Sequence, residues 1–252
     1  MLLTIDHDKV RELRFNRPPV HALTSEFIKT LREAVEYAPG DGVRALVLSG
    51  TPGRFSAGLD VPMLIDMDRG GVAALWRALY ELLRTLASSS IPIATAITGH
   101  APAGGTVIPL FCDWRIMAQG EFRLGLNEVQ VGIPLPPVIL GALRRLVGAR
   151  HAEQLAVSGA LVSPEEALRL GLVDELAAPD EVVAHAVDWC RALIALPSHA
   201  MTATRKEARA DLVALFDARI EEELERVTAA WWNQETQVTL RAVVAKLKKK
   251  NS

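Results

Sequence analysis

The sequence predicts an α/β fold with a C-terminal helical extension, and three observations carry that prediction. Short continuous apolar runs end at loops rich in glycine and proline, the pattern of buried strands. Segments with helical spacing of apolar residues separate those runs through the first half of the chain, which calls for crossover connections. Beyond Pro137 the pattern is mostly helical.

The elements follow in order. The opening MLLTIDHDKVREL becomes charged too early to hold the apolar region of a signal peptide. Val10 to Phe15 alternates as a strand does, and Asn16-Arg17-Pro18-Pro19 stops it. Thr24 or Ser25 caps a helix that places Phe27, Leu31, Ala34 and Val35 on one face. Ala45-Leu46-Val47-Leu48 is a buried strand closed by Ser49-Gly50-Thr51-Pro52-Gly53. A helix rich in Leu, Ala and Trp runs from Val72 to Leu86 and ends at Ser88-Ser89-Ser90.

Ile93-Ala94-Thr95-Ala96-Ile97 is the next strand, followed by Thr98-Gly99-His100-Ala101-Pro102-Ala103-Gly104-Gly105. An apolar helix leads from there into Cys112-Asp113, with Pro109 inside it as an expected kink. Trp114-Arg115-Ile116-Met117 is one more strand. A boundary near residue 195 separates this core, 1–195, from a helical segment, 196–252. In that segment the adjacent Trp231 and Trp232 cannot share one helix face, so one or both pack outside their helix, for example on another subunit. The basic KLKKKNS terminus reads as a solvated helix end or as a contact to a phosphorylated ligand.

Composition narrows the function. The chain has 252 residues, 50% of them hydrophobic, enough for one sizeable core without staples. A net charge of −2 gives no footprint for nucleic acid. The two cysteines, Cys112 and Cys190, suit a reducing compartment, and the six histidines show no metal-ligand spacing. No run approaches the roughly 20 apolar residues of a membrane span. These readings predict a cytoplasmic protein with no metal.

Two glycine turns follow buried strands: Phe55-Ser56-Ala57-Gly58-Leu59-Asp60, and Pro102-Ala103-Gly104-Gly105 at the mouth of a helix. Glycine lets a ligand approach the backbone, and unpaired N–H groups at a helix start favour negative charge. The two turns either aim two N–H groups at one oxygen or serve packing alone. A third segment, Gly125 to Ile133, sets Glu128 among Leu126, Val129, Val131 and Ile133. Apolar surroundings raise a carboxyl pKa and suit it to taking and returning protons.

Together, in this order and spacing, the three segments resemble the crotonase (enoyl-CoA hydratase/isomerase) superfamily. The likeness runs from Phe15-Asn16-Arg17-Pro18 to Gly171-Leu172-Val173-Asp174-Glu175, and includes Ser163-Pro164-Glu165-Glu166-Ala167 and Cys112-Asp113. It implies a crotonase-like ββα spiral core over 1–195, with a C-terminal helical trimerisation or lid region over 196–252. It further implies a homotrimer or dimer of trimers acting on an acyl-CoA thioester, with coenzyme A as part of the substrate and no separate cofactor. Carried over residue by residue, Leu59 and Gly104 supply the oxyanion-hole N–H groups and Glu128 is the catalytic acid–base. Ala57, Gly58, Asp60, Val61 and Asn127 line the substrate and CoA side, although Asp60 also reads as a plain helix N-cap. The stripe from Trp76 to Leu86 is core or the wall of an acyl channel.

Hydratases of that family carry a second glutamate, and the matching position here is Val107. One carboxylate suffices for a 1,3-proton shift, and Leu126-Asn127-Glu128 with Ala57-Gly58-Leu59-Asp60 is most similar to the mitochondrial-type Δ3,Δ2-enoyl-CoA isomerases. The resemblance therefore implies isomerisation of 3-enoyl-CoA to 2-trans-enoyl-CoA. The alternatives are a hydratase or other crotonase-type acyl-CoA enzyme, and a non-catalytic acyl-CoA- or RNA-binding protein of the same fold. His21 stands where the family has Asn.

Overall fold

The computed structural model describes residues 1–217 and 220–250. Strands β1 (Leu2–His7) and β2 (Val10–Phe15) form an antiparallel hairpin, with Leu2 opposite Phe15 and His7 opposite Val10. Helix α1 (Ser25–Tyr37) follows, and of the two candidate caps it is Thr24 that accepts a hydrogen bond from the Phe27 N–H, at 3.2 Å.

A unit of long strand, short strand and helix then repeats three times. The first is β3 (Ala45–Ser49), β4 (Gly53–Arg54), α2 (Val61–Leu64) and α3 (Arg69–Ser88). The second is β5 (Ile93–Ile97), β6 (Gly99–Pro102) and α4 (Gly104–Leu110). The third is β7 (Trp114–Ala118), β8 (Leu124–Gly125) and α5 (Pro137–Ser158). Helix α6 (Pro164–Leu170), strand β9 (Glu175–Ala177) and helix α7 (Val182–Ile194) close the core, and α8 (Ser198–Ala208), α9 (Ala210–Ala214), α10 (Ile220–Trp231) and α11 (Gln234–Lys250) complete the chain.

The long strands make a six-stranded sheet, ordered β1-β2-β3-β5-β7-β9 and parallel except for the hairpin. The short ones make a second parallel sheet, β4-β6-β8. This is the expected ββα spiral. Strands buried on both faces explain the unbroken apolar runs: Leu46 and Leu48 enter the large core, while Ala45 and Val47 pack under α7 with Val187 and Cys190.

Two expectations change in detail. Pro109 lies in the last turn of α4, so the bond it cannot give to the carbonyl four residues back is lost at the end of the helix and no helix continues beyond it to be kinked. The long helical pattern after Pro137 is interrupted at Gly148, whose φ of +75° and ψ of +163° are not helical. Trp231 is 2% exposed and belongs to the main core, while Trp232 is 39% exposed. The expectation for the basic tail falls on Lys246 to Ser252, of which Lys246 and Leu247 are exposed and the side chains of Lys248 to Ser252 lie outside the described residues. Among the described residues no helix is long and apolar enough to cross a membrane.

The C-terminal helices share the core: Leu212, Phe216, Leu224, Leu240 and Val244 join the cluster that holds Phe27 and Leu83. A buried charge cluster locks them there. Asp113, just after α4, accepts from Arg205 at 2.7 and 2.8 Å and from Arg209 at 3.2 Å. Its second oxygen also takes the Ile93 N–H at 2.8 Å. Arg209 reaches the carbonyls of Leu86, Ala87, Phe111 and Cys112, the ends of α3 and α4. Removing one partner from such a cluster leaves buried charge uncompensated. Asp113→Ala is therefore expected to lower unfolding free energy by about 3–5 kcal/mol, read from urea denaturation, whereas Asp217→Ala on the surface should change it little.

Candidate active site

The two glycine turns meet. Gly58 has φ +81°, and a Cβ there would lie 2.7 Å from the Gly104 nitrogen. A Cβ on Gly104 would lie 3.0 Å from the Gly58 Cα, and one on Gly105 would lie 2.2 Å from the Ser56 carbonyl oxygen. Only glycine allows this backbone-to-backbone approach. Ser56 braces the first turn by donating to the His21 carbonyl at 2.8 Å and accepting from the Gly58 N–H at 3.2 Å.

Leu59 pairs with Leu23 as a short parallel bridge, through Leu23 N–H to Gly58 O and Asp60 N–H to Leu23 O. That alternation turns the Leu59 N–H to the opposite side. Gly104 is the first residue of α4, where the N–H has no intrahelical acceptor. Among the described residues neither amide donates to a backbone carbonyl in these turns. Ala103 before it holds φ +50° and ψ −123°, a conformation an L-residue keeps only when its surroundings impose it. Here its N–H is tied to Gly125 O at 2.8 Å.

The pairing of β6 with β8, Ala101 opposite Leu124 and Pro102 opposite Gly125, brings the third segment alongside the second turn. Thr106, on α4, secures the join: it donates to Ala101 O at 2.5 Å and accepts from Gly125 N–H at 2.8 Å. Glu128 then begins a 3-10 turn, Glu128–Val131, closed by Gly132 in the left-handed region. Its side chain is 8% exposed, between the buried Leu126 and Ile133. Burial pushes its pKa up to about 7, opposed only by its own N–H. Oε2 is buried without a partner, and so is Oδ1 of Asn127. Val107 is buried in the same apolar cluster, so no carboxylate stands at that position.

The remaining expected residues divide. Ala57 is exposed, and Val61, partly buried, is the first residue of α2. Asp60 is engaged: it accepts from Met63 N–H at 3.3 Å as the N-cap of α2 and from Arg17 at 2.8 Å. His21, at φ +50°, accepts from the Arg17 N–H on Nδ1 at 3.0 Å and so donates from Nε2 to Thr51 at 2.7 Å. His and Asn are among the few residues that tolerate that backbone. Burial lowers its pKa, which suits a turn clamp. Trp76 and Leu79 are core. The bracing roles of Thr106, Ser56 and Arg17 emerge only from the structure, because their partners lie in other segments. Among the described residues no group of three or more His, Cys, Asp or Glu could hold a metal. What the arrangement offers is a pair of N–H groups for an anionic oxygen beside a carboxyl group that changes protonation near neutral pH.

Comparisons with known proteins place the chain by sequence and fold. The family model described as enoyl-CoA hydratase/isomerase matches residues 6–250. The human mitochondrial enoyl-CoA delta isomerase 1 is 35% identical over 219 residues, 84% of this chain and 72% of its own. A probable enoyl-CoA hydratase of Mycobacterium avium is 34% identical over 206 residues, 81% of this chain and 78% of its own. The crystal structure of human mitochondrial delta3-delta2-enoyl-CoA isomerase superposes with a TM-score of 0.94 at 30% identity, covering 100% of this chain and 99% of that one. The mitochondrial relative gives the cytoplasmic expectation no support.

Two predictions follow from the geometry. Gly58→Ala meets both a positive φ and the Gly104 nitrogen, and is expected to destabilise the protein by about 1–3 kcal/mol in denaturant unfolding. For Glu128 the folded-state pKa lies above the unfolded one, so its stability contribution is complete below the unfolded pKa and is lost as pH rises toward 7. Glu128→Gln removes that loss. It should be more stable than wild type by about 3 kcal/mol at pH 8 and equal to it near pH 4, by the same unfolding measurement.

Proposed function

The chain belongs to the enoyl-CoA hydratase/isomerase family, and from that premise we propose that it is a Δ3,Δ2-enoyl-CoA isomerase. The observation that carries the proposal is a single buried carboxyl group, Glu128, with an unpartnered oxygen and an aliphatic Val107 where a second carboxylate would stand. In this reading the thioester oxygen of a 3-enoyl-CoA accepts from the Leu59 and Gly104 N–H groups. Glu128 removes a C2 proton, the electron pair moves into the dienolate, and the oxygen carries the charge. The same carboxyl group then returns the proton to C4, leaving the double bond between C2 and C3.

Each oxyanion donor contributes about 3 kcal/mol to such a barrier. A buried Glu128 with its pKa pushed up to about 7 is nearly balanced between holding and releasing a proton, as a group that does both must be. Ala57, Gly58, Val61 and Asn127 line the substrate side, while Asp60 shapes it indirectly through α2 and Arg17. The reading includes self-association as a homotrimer or dimer of trimers; the exposed Val129, Val157 and Leu161 offer an apolar surface for it.

Hydration is the second reading, favoured by the 34% identity to a probable hydratase. A parallel assay separates them. Purified protein is expected to convert 3-enoyl-CoA to 2-trans-enoyl-CoA and to add water to 2-enoyl-CoA far more slowly; fast hydration would overturn the use of Val107. Glu128→Gln should lower isomerisation by about 10² to 10⁴. Because the base must be ionised, wild-type kcat/KM should rise with pH to a plateau above 7.

A further inference from the structure

The turn that carries Glu128 is held from outside by the C-terminal helices. Thr236, 3% exposed in the first turn of α11, donates its hydroxyl to Gly132 O at 2.6 Å. With no helical turn before it whose carbonyl it could take, this hydroxyl reaches out of its helix to the Glu128 turn. Gly132, at φ +78°, closes the 3-10 turn that Glu128 opens, and a Cβ on it would lie 3.1 Å from the Thr236 Cα. The backbone of α11 therefore rests on the turn itself. Directly after it, the Ile133 N–H returns to Glu128 O at 3.0 Å.

A second grip lies six residues beyond Gly132. Helix α5 begins after Pro136, which has no side-chain cap to offer. Glu223 of α10, 5% exposed, supplies one across the fold: its Oε1 accepts from Val138 N–H at 3.1 Å and from the Tyr80 hydroxyl at 2.5 Å. The segment from Gly132 to Val138 is thus pinned at both ends by groups that come from the last thirty-odd residues.

We infer that Thr236 is a positioning residue for the reaction: its hydroxyl seats α11 on Gly132, and that seat closes the Glu128 turn and keeps water from the carboxyl group. The inference rests on Glu128 being the base. Charge does not substitute for closure here. Glu235, Arg241 and Lys246 on α11, and Arg144, Arg150 and Glu153 on α5, do not enter the causes of the Glu128 shift. Arg145 is bonded to Asp211, and His151 Nδ1 faces Val147 O of its own helix.

The test compares Thr236→Val, which keeps shape and loses the hydroxyl, with Thr236→Ser, which keeps the hydroxyl. Thr236→Val is expected to move the acid limb of the kcat/KM–pH profile down by about one unit, as water reaches the carboxylate, and to speed exchange of the Ile133 amide about tenfold. Thr236→Ser should follow wild type in both. An unchanged Thr236→Val profile and exchange, or equal changes in both variants, would overturn the inference. Glu128→Gln is assayed beside them: full turnover there sinks the base reading instead, and the amide exchange still judges the seat. Should Thr236→Val not fold, native-state exchange of the wild-type protein decides. A shared opening of the Ile133 and Leu240 amides supports the seat, and independent openings refute it.

Discussion

Two stretches of backbone must touch for this site to exist: the turn at Gly58 and the start of α4 at Gly104 and Gly105. No side chain fits between them, since added Cβ atoms would lie 2.2 to 3.0 Å from main-chain atoms of the facing turn. Most of the surrounding architecture holds that contact. The parallel pairing of β4, β6 and β8 sets the relative height of the turns, Ser56 braces one of them, and the strained Ala103 is imposed by its bond to Gly125. The cost of strained backbone is typically 1–3 kcal/mol per residue and is tolerated where the surroundings over-determine it.

The same pairing carries Glu128 into place. Thr106 links α4 to β8, and three residues later Glu128 sits buried, where its surroundings shift its proton affinity toward neutrality. Two opposite environments thus lie side by side: N–H groups left without backbone partners, and a carboxyl oxygen left without any. An unsatisfied buried polar atom is costly in a resting fold. Its presence beside the two glycine turns is what joins the geometry to the proposed chemistry.

Much of this was legible in the residues. The fully buried strands announce themselves as apolar runs, and the two glycine turns with Glu128 resemble a family pattern closely enough to name the family and a candidate site. The small sheet was not legible: β4 and β8 are two residues long, too short for any period. The hairpin strand β1 was read only as a terminus, because its exposed edge mixes charge with apolar residues. Asp113 was visible as part of a motif, but its task was not, since its partners Arg205 and Arg209 lie about ninety residues away in sequence. Asp60, read in the sequence as either a ligand contact or a helix N-cap, is that cap and also the ion-pair partner of Arg17, which the sequence did not reveal.

Arg209 has one further consequence, for the order in which the chain can finish folding. It supplies the donors for the carbonyls that end both α3 and α4, and α4 begins at the glycine contact on which the site depends. During synthesis from the N-terminus those helix ends emerge long before residue 209 does. A nascent chain holding the whole sheet therefore still has two open helix ends in its interior, which must stay hydrated until the final fifth of the protein arrives.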